Sequence, residues 1–427
     1  MPDQPHPAKT GQAPVIIIGA SHGGISLAER LRRRGYKGSI ILIDREAGLP
    51  VERPPLSKAY LQQDDDGNWP EDSRFALRGE TWFSDQQVTL IDGVTVIDAD
   101  AERRLLTLDD GRQLTWGVLV LATGAIPRLL PDSVTAGAAA TPYYLRLASD
   151  ARRLRRALAD ARHVAIIGGG YIGLEVAASC RKSGLDVTVI EMAERLLARV
   201  ASPAAAAFFT GLHQQHGVTI HTGCRLQSIT AGKSGALLEV VAANGSNSRI
   251  EADLVVAGIG VVPDLMIAEK LGVAGAGGIV VDAAYRTAVK NIYAIGDAAL
   301  PNSGHGGGVL RIESVHHAQM SADIAAAAIN GDAIPGHEVP WFWSEQYDIR
   351  LQSVGLVPAD GEAVSRAGRR QGTGSVWSFA AGKLAAVEAM GDAQAYMVGK
   401  TVLDRAIPVS AAQLADPALE LKSLISG

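Results

Sequence analysis

Residues Val15 to Gly24 read VIIIGASHGG, and residues Val164 to Gly173 read VAIIGGGYIG. Each begins with four aliphatic residues, the composition of a strand buried on both faces. Each then turns on closely spaced glycines and enters a stretch of helical apolar spacing. The first helix is expected over Ile25 to Arg34, ended by Gly35, and the second runs to about Lys182. A further aliphatic run follows in both places: Ile40 to Ile43 closes on Asp44, and Val187 to Ile190 leads into Glu191. Strand, glycine turn, helix, strand and acid thus occur twice, which predicts an α/β fold with two Rossmann-like dinucleotide-binding domains.

The pattern has a chemical reason. A glycine turn at a helix N-terminus lets pyrophosphate oxygens reach backbone N–H groups, where the macrodipole favours negative charge. The acid at the end of the next strand accepts hydrogen bonds from ribose hydroxyls. In the second copy Gly168, Gly170 and Gly173 fill all three glycine positions, and Glu191 stands 18 residues after Gly173. In the first copy Gly19 and Gly24 flank Ser21 at the middle position, with Asp44 20 residues after Gly24. Serine is small enough to permit close approach.

Other strands end on glycine. Val118 to Ala122 precedes Thr123 and Gly124, Leu254 to Ala257 precedes Gly258 and Gly260, and Ile292 to Ile295 leads into Gly296 and Asp297. Asp297 has two readings, a second grip on a cofactor or an N-capping aspartate at a strand-end turn. An alanine-rich helix is expected over Glu313 to Ile329, and the NSGHGGG loop at Asn302 to Gly308 reads as mobile. After Gly331 tryptophans and alternating segments set in, marking a C-terminal α+β domain from about residue 335. The expected organisation is a first nucleotide domain over residues 1–126 and 252–334, a second over 127–251, and the C-terminal domain over 335–427.

At 427 residues the chain exceeds what one core organises, in keeping with several domains. A net charge of −5 gives no support for a nucleic-acid partner. Cys180 and Cys224 form neither a disulfide framework nor a CxxC pair, so a reducing cytoplasm is expected. The leader MPDQPHPAKTGQAP lacks the charged and apolar regions of a signal peptide, and no apolar run is long enough for a membrane span. His213, His216 and His221 have no neighbouring Cys or acid pattern, so no metal site is expected. The sequence leaves monomer and homodimer open.

Taken in order, the motifs resemble the FAD-dependent ferredoxin reductases of oxygenase systems, the putidaredoxin, rubredoxin and biphenyl-dioxygenase reductase group related to apoptosis-inducing factor. Besides the two glycine turns, the resemblance rests on RPPLSKAYL (53–61), LATGAIPR (121–128), GIGVVPD (258–264) and TAVKNIYAIGD (287–297). It continues through RIESVHHA (311–318) and VPWFWSEQY (339–347) and runs from about Pro14 to about Ser423. Two departures stand out, Ser21 for the usual glycine and His316-His317 where many members have Gln-Asn.

The resemblance implies a glutathione-reductase-like arrangement, an FAD domain interrupted by an NAD domain, with a C-terminal domain that covers the flavin. It assigns Gly19, Ser21, Gly24 and Asp44 to the adenosine half of FAD and Asp297 to its ribityl chain. Arg53 and Lys58 would line the isoalloxazine, with Thr123, Gly124, Arg128, Gly260 and Val315 as further cofactor contacts. NADH falls to Gly168, Gly170, Tyr171, Ile172, Gly173 and Glu191, the carboxylate of Glu191 repelling the extra phosphate of NADPH. Glu175 would face the nicotinamide and pair with Lys58, whose charge suits a reduced, anionic ring. Trp341 or Trp343 is either an aromatic wall of the flavin pocket or core, and Trp343 is taken as the wall.

The implied activity is hydride transfer from NADH to FAD, followed by single-electron delivery to a two-iron ferredoxin or a rubredoxin. Arg53, Arg78, Arg311 and the cluster Arg366, Arg369 and Arg370 are candidates for docking that partner, Arg311 first. A cysteine-dependent mechanism is disfavoured because LPVERPPLSK (49–58) has no cysteine. Two alternatives stay open, a diaphorase reducing quinones or oxygen, and a redox-sensing interaction protein.

Overall fold

The two aliphatic runs become the centres of two parallel sheets. In the computed structural model, which describes residues 13–64, 66–138, 141–233, 235–302 and 311–426, Val15–Ile18 is buried along its whole length. It pairs in parallel with Ile40–Ile43 on one side and Val118–Leu121 on the other. Val88–Ile91 and Ile292–Ala294 complete a five-stranded sheet. The second run, His163–Ile167, pairs in parallel with Asp186–Ile190 and Leu254–Ala257, and Thr219–His221 forms the far edge. Strands buried on both faces carry continuous Val and Ile rather than alternation, which is why these runs are legible in the sequence.

The helices begin at the glycine turns themselves, His22–Arg33 in the first copy and Tyr171–Lys182 in the second. The first therefore starts before Ile25, because the turn's last two glycines are already helical. The alanine-rich helix spans Val315–Asn330, with Ser314 accepting from His317 N–H and Gly331 in the left-handed region at its C-terminus. The leader and the interior of the Asn302 to Gly308 loop lie outside the described residues.

Two compact units emerge. The first comprises residues 13–53, 71–126 and 261–337 and holds the five-stranded parallel sheet. The second comprises 54–70, 127–260 and 338–426. Two details differ from the expected boundaries. Leu254–Ala257 hydrogen-bonds to His163–Ile167, so the second nucleotide fold continues past residue 251 to Gly260. The segment 54–70 packs with the second unit, because its short 3-10 turns lie against the helices Tyr171–Lys182 and Ala148–Leu158. Neither switch is visible to periodicity, which reads only local pattern.

The C-terminal part of the second unit is a five-stranded antiparallel sheet in the order Trp341–Gln346, Ile349–Gly355, Lys383–Met390, Gly374–Ala380 and Ala363–Ala367. The helix Ala393–Asp404 covers one face, closing a core around Trp377, Phe379, Val387 and Val398. Along the first strand side chains alternate, so Phe342, Ser344 and Gln346 share one face while Trp341 and Trp343 share the other. Trp341 packs against that core.

Candidate functional site

The glycine positions explain themselves once each is asked what a Cβ would strike. Gly19 and Gly168 have φ of 105° and 104°, and a Cβ there would come within 2.3 Å of Ala122 O and 2.4 Å of Gly258 O. Gly24 and Gly173 let helix and turn close, since a Cβ would lie 2.0 Å from Gly19 O and 2.2 Å from Gly168 O. These four glycines are required by the protein's own backbone. Gly170 is different. Its φ is −80°, which any residue adopts, and a Cβ would meet nothing within 4 Å. No demand of the fold explains a glycine here, whereas a pyrophosphate needing contact with backbone N–H groups does. The same position in the first copy is Ser21, whose Oγ lies 3.3 Å from Arg53 Nε. Arg53 also reaches Glu46 at 3.0 Å.

The two acids are held alike. Asp44 Oδ2 accepts from Ala20 N–H at 2.8 Å and its Oδ1 from Glu46 N–H at 2.9 Å. Glu191 Oε2 accepts from Gly169 N–H at 2.6 Å and its Oε1 from Ala193 N–H at 2.7 Å. In both copies one oxygen braces the residue after the first glycine and the other braces the residue two places on. Each carboxylate oxygen keeps a second lone pair for a ribose hydroxyl. The residues present therefore fit a dinucleotide in each unit.

Elsewhere in the first unit, Thr123 Oγ1 donates to Asp264 O at 2.8 Å, and Gly124 O accepts from Asp264 N–H at 3.0 Å. Asp297 sits at the strand end, its carbonyl receiving Arg311 at 3.0 Å. Val315 opens its helix. His317, two residues on, is buried, bonded through Nε2 to Tyr285 Oη at 3.0 Å, and its pKa is lowered to about 4 by desolvation. In the second unit Arg128 N–H donates to Gly260 O at 2.9 Å. Tyr171 stacks on Phe342 with ring centroids 4.7 Å apart, and Ile172 beside it is exposed.

Lys58 and Glu175, both in the second unit, meet as an ion pair. Lys58 Nζ donates to Glu175 Oε2 at 2.7 Å and to Pro54 O at 2.9 Å. The pair is largely shielded, with side-chain exposures of 17% and 6%. Ser57 Oγ donates to the same oxygen at 2.5 Å, and Ser344 Oγ donates to Glu175 Oε1 at 2.6 Å. A carboxylate so buried is tolerable only with this many donors. Ser57 and Ser344 were not legible as site residues, because single serines carry no spacing signal. Trp343 stands 5.5 Å from Trp341, on the strand face opposite Ser344.

Four of the arginines considered for docking are engaged internally, Arg53 with Ser21 and Glu46, Arg78 with Glu29 and Leu77 O, and Arg311 and Arg366 besides. Arg311 grips Asp297 O and pairs with Glu313 at 2.5 Å. Arg366 binds the carbonyls of Leu414, Asp416 and Leu419 and so ties down the C-terminal segment. Among the described residues, no group of three or more His, Cys, Asp and Glu side chains could hold a metal ion, and both cysteines are free thiols.

Comparison with known proteins agrees with this construction. The chain matches the pyridine nucleotide-disulphide oxidoreductase family over residues 13–322 and the reductase C-terminal family over residues 341–425. It is 38% identical to rhodocoxin reductase of Rhodococcus erythropolis, covering 96% of this chain and 94% of that one. It is 35% identical to a putidaredoxin reductase of Pseudomonas putida, covering 96% of each. Among solved structures it superposes on a ferredoxin reductase of Rhodopseudomonas palustris with a TM-score of 0.88 at 38% identity, over 96% of this chain and 99% of the other. The putidaredoxin reductase of a covalent complex with putidaredoxin gives 0.86 at 33% identity, over 97% and 98%. With two dinucleotide cradles and a C-terminal reductase domain along its length, the chain belongs to the pyridine nucleotide-disulphide oxidoreductase family of FAD- and NAD(H)-binding enzymes.

Proposed function

We propose that this protein is an NADH-dependent reductase that passes electrons through FAD to an iron–sulfur protein, a two-iron ferredoxin or a rubredoxin, serving an oxygenase. The observation that carries the reading is the repetition of one acid-and-turn geometry, at Asp44 and at Glu191, in a chain that also buries the Lys58–Glu175 pair. Bound FAD supplies the conversion of an electron pair into single electrons, which a nicotinamide alone does not perform.

The residues divide the remaining work. The Gly19–Gly24 turn and Asp44 hold the adenosine half of FAD, and Asp297, Thr123, Gly124 and Val315 hold its other end. The turn from Gly168 to Gly173 holds the pyrophosphate of NADH. Glu191 accepts its ribose hydroxyls and repels a 2′-phosphate. Lys58 places a positive charge where reduction creates a negative one, a stabilisation that is strongest in a shielded site. Glu175 balances that lysine and orders the nicotinamide. The partner class is supported by relatives named as rhodocoxin, putidaredoxin and rubredoxin reductases. No helix among the described residues is long and apolar enough to cross a membrane, and two free cysteines accord with a reducing compartment, so we assign the protein to the cytoplasm.

A second reading, a diaphorase acting on small quinones, draws on the engagement of Arg311 and Arg366 with backbone carbonyls. Acceptor assays against rising salt separate the two. Transfer to an acidic ferredoxin should weaken as salt screens exposed charges beyond about 8–10 Å, while reduction of a neutral quinone should not. Rapid quinone reduction with no ferredoxin reduction at any salt would favour the diaphorase.

A further inference from the structure

Glu175 terminates a chain of hydrogen bonds that runs through the buried part of the second unit. Ser344 Oγ reaches Glu175 Oε1 at 2.6 Å, and Gln346 Nε2 reaches Ser344 Oγ at 3.2 Å. Gln346 Oε1 lies 2.8 Å from His213 Nε2, and Tyr347 Oη lies 3.3 Å from His213 Nδ1. Ser344, Gln346 and His213 are each fully buried. The carboxylate can only accept, so the single hydrogen of Ser344 points at it. The Ser344 oxygen then receives an amide hydrogen of Gln346, which turns the amide oxygen toward His213. His213 Nε2 must therefore carry the hydrogen, leaving Nδ1 to accept from Tyr347. Every donor points toward Glu175.

The far end of the chain is anchored at unusual cost. Tyr347 has φ of 58°, a conformation that is an outlier for a bulky side chain. Three contacts hold it there: the hydroxyl on His213, the carbonyl accepting from Lys182 Nζ at 3.0 Å, and the ring stacked on His216 with centroids 3.6 Å apart. Burial lowers the His213 pKa to about 4, which keeps the imidazole neutral, as the chain requires. A glutamine in the middle prevents the chain from relaying protons along its length, because an amide does not exchange them as hydroxyls and imidazoles do. Its use is orientation. Aligned donors polarise one another and fix the rotamer of the carboxylate they end on.

We infer that Tyr347, His213, Gln346 and Ser344 are positioning residues for the electron-transfer site, a one-directional hydrogen-bond chain that holds the Glu175 carboxylate in register with Lys58. The inference rests on the reading of Lys58 and Glu175 given above. Three variants of the FAD-loaded protein test it. Ser344→Ala removes the last donor. Gln346→Glu keeps the shape but accepts at both ends, so it draws the Ser344 hydrogen away from Glu175. Ser344→Thr retains the hydroxyl and restores function.

Anaerobic stopped-flow measurement of flavin reduction by NADH should show the limiting rate falling about tenfold in the first two variants, the size expected for one lost hydrogen bond to a charged group. The dissociation constant for NADH should change far less. In a Glu175→Ala background Ser344→Ala should have no further effect. An undiminished effect there means that Ser344 does not act through Glu175 and overturns the inference. Nitrogen-15 NMR of labelled histidine supplies a readout independent of turnover: His213 should be the neutral tautomer with hydrogen on Nε2. The opposite tautomer overturns the chain itself, whereas a Glu175→Ala variant reduced at the native rate overturns the underlying role of the pair.

Discussion

Lys58 Nζ stands 2.7 Å from Glu175 Oε2 although the residues are 117 positions apart, one between the two 3-10 turns Pro54–Ser57 and Ala59–Leu61 and the other in the first turns of the Tyr171–Lys182 helix. Because Glu175 is nearly inaccessible, the lysine should matter to the fold as well as to the chemistry proposed for it. Removing it leaves a buried carboxylate with only serine donors. We expect Lys58→Met to slow flavin reduction at least tenfold, roughly, as loss of a donor to developing charge does. It should also destabilise the protein by about 3 kcal/mol. Adding Glu175→Gln should restore most of the stability and none of the rate. Thermal unfolding and anaerobic stopped-flow read the two quantities separately. Full stability in the single variant would mean that Glu175 does not depend on Lys58.

The glycines of the second turn should part company under mutation. A Cβ at Gly173 would lie 2.2 Å from Gly168 O, whereas at Gly170 it would meet open space. Gly173→Ala should therefore lower the melting temperature, and Gly170→Ala should leave it nearly unchanged while weakening NADH binding at least tenfold, roughly, by blocking the pyrophosphate's approach. Calorimetry of melting and NADH titration check the pair. Unchanged NADH affinity in Gly170→Ala would remove the cradle from this turn.

Glu191 should set the choice of nicotinamide. Since it also accepts from Gly169 and Ala193 N–H groups, Glu191→Gln is preferable to Ala, keeping an acceptor while removing charge. The unmodified enzyme should favour NADH over NADPH in kcat/KM by at least about tenfold, or 1.4 kcal/mol. The glutamine variant should narrow that gap. Equal use of both nucleotides by the unmodified protein would contradict the assignment.

Acid should unfold the protein partly through two histidines. His213 and His317 are both held neutral by burial, with pKa values lowered to about 4. In the unfolded chain they take up protons near pH 6.5. Between these values the unfolded state binds more protons, so the stability they permit at neutral pH is lost as pH falls from about 6.5 toward about 4, and is unaffected above about 7. Denaturant midpoints should decline across that window. His213→Asn should make the decline shallower, and an identical slope would show that His213 does not titrate on unfolding.

Much of the fold could be read from Val15–Ile18 and His163–Ile167, because doubly buried parallel strands write continuous aliphatic runs into the sequence. The allegiance of residues 54–70 and of Leu254–Ala257 could not, since it depends on pairing across long separations. The bracing of the glycine turns by Asp44 and Glu191 follows positions legible through motif spacing, and the Lys58–Glu175 contact was legible through resemblance. Ser57, Ser344, Gln346, His213 and Tyr347 were not, because alternation shows which strand residues share a face but not what that face meets. His213 was weighed only as a metal ligand, and the structure gives it Gln346 and Tyr347 as partners instead.

The central claim is that electrons pass from NADH through FAD to an iron–sulfur acceptor. It is tested most directly by double-mixing stopped-flow on the purified, FAD-loaded protein under anaerobic conditions. Mixing with one equivalent of NADH should bleach the yellow flavin band, and a second mixing with oxidised two-iron ferredoxin should restore that band as the ferredoxin spectrum becomes reduced. A flavin that bleaches with NADH but keeps its electrons in the presence of both ferredoxin and rubredoxin would contradict the account.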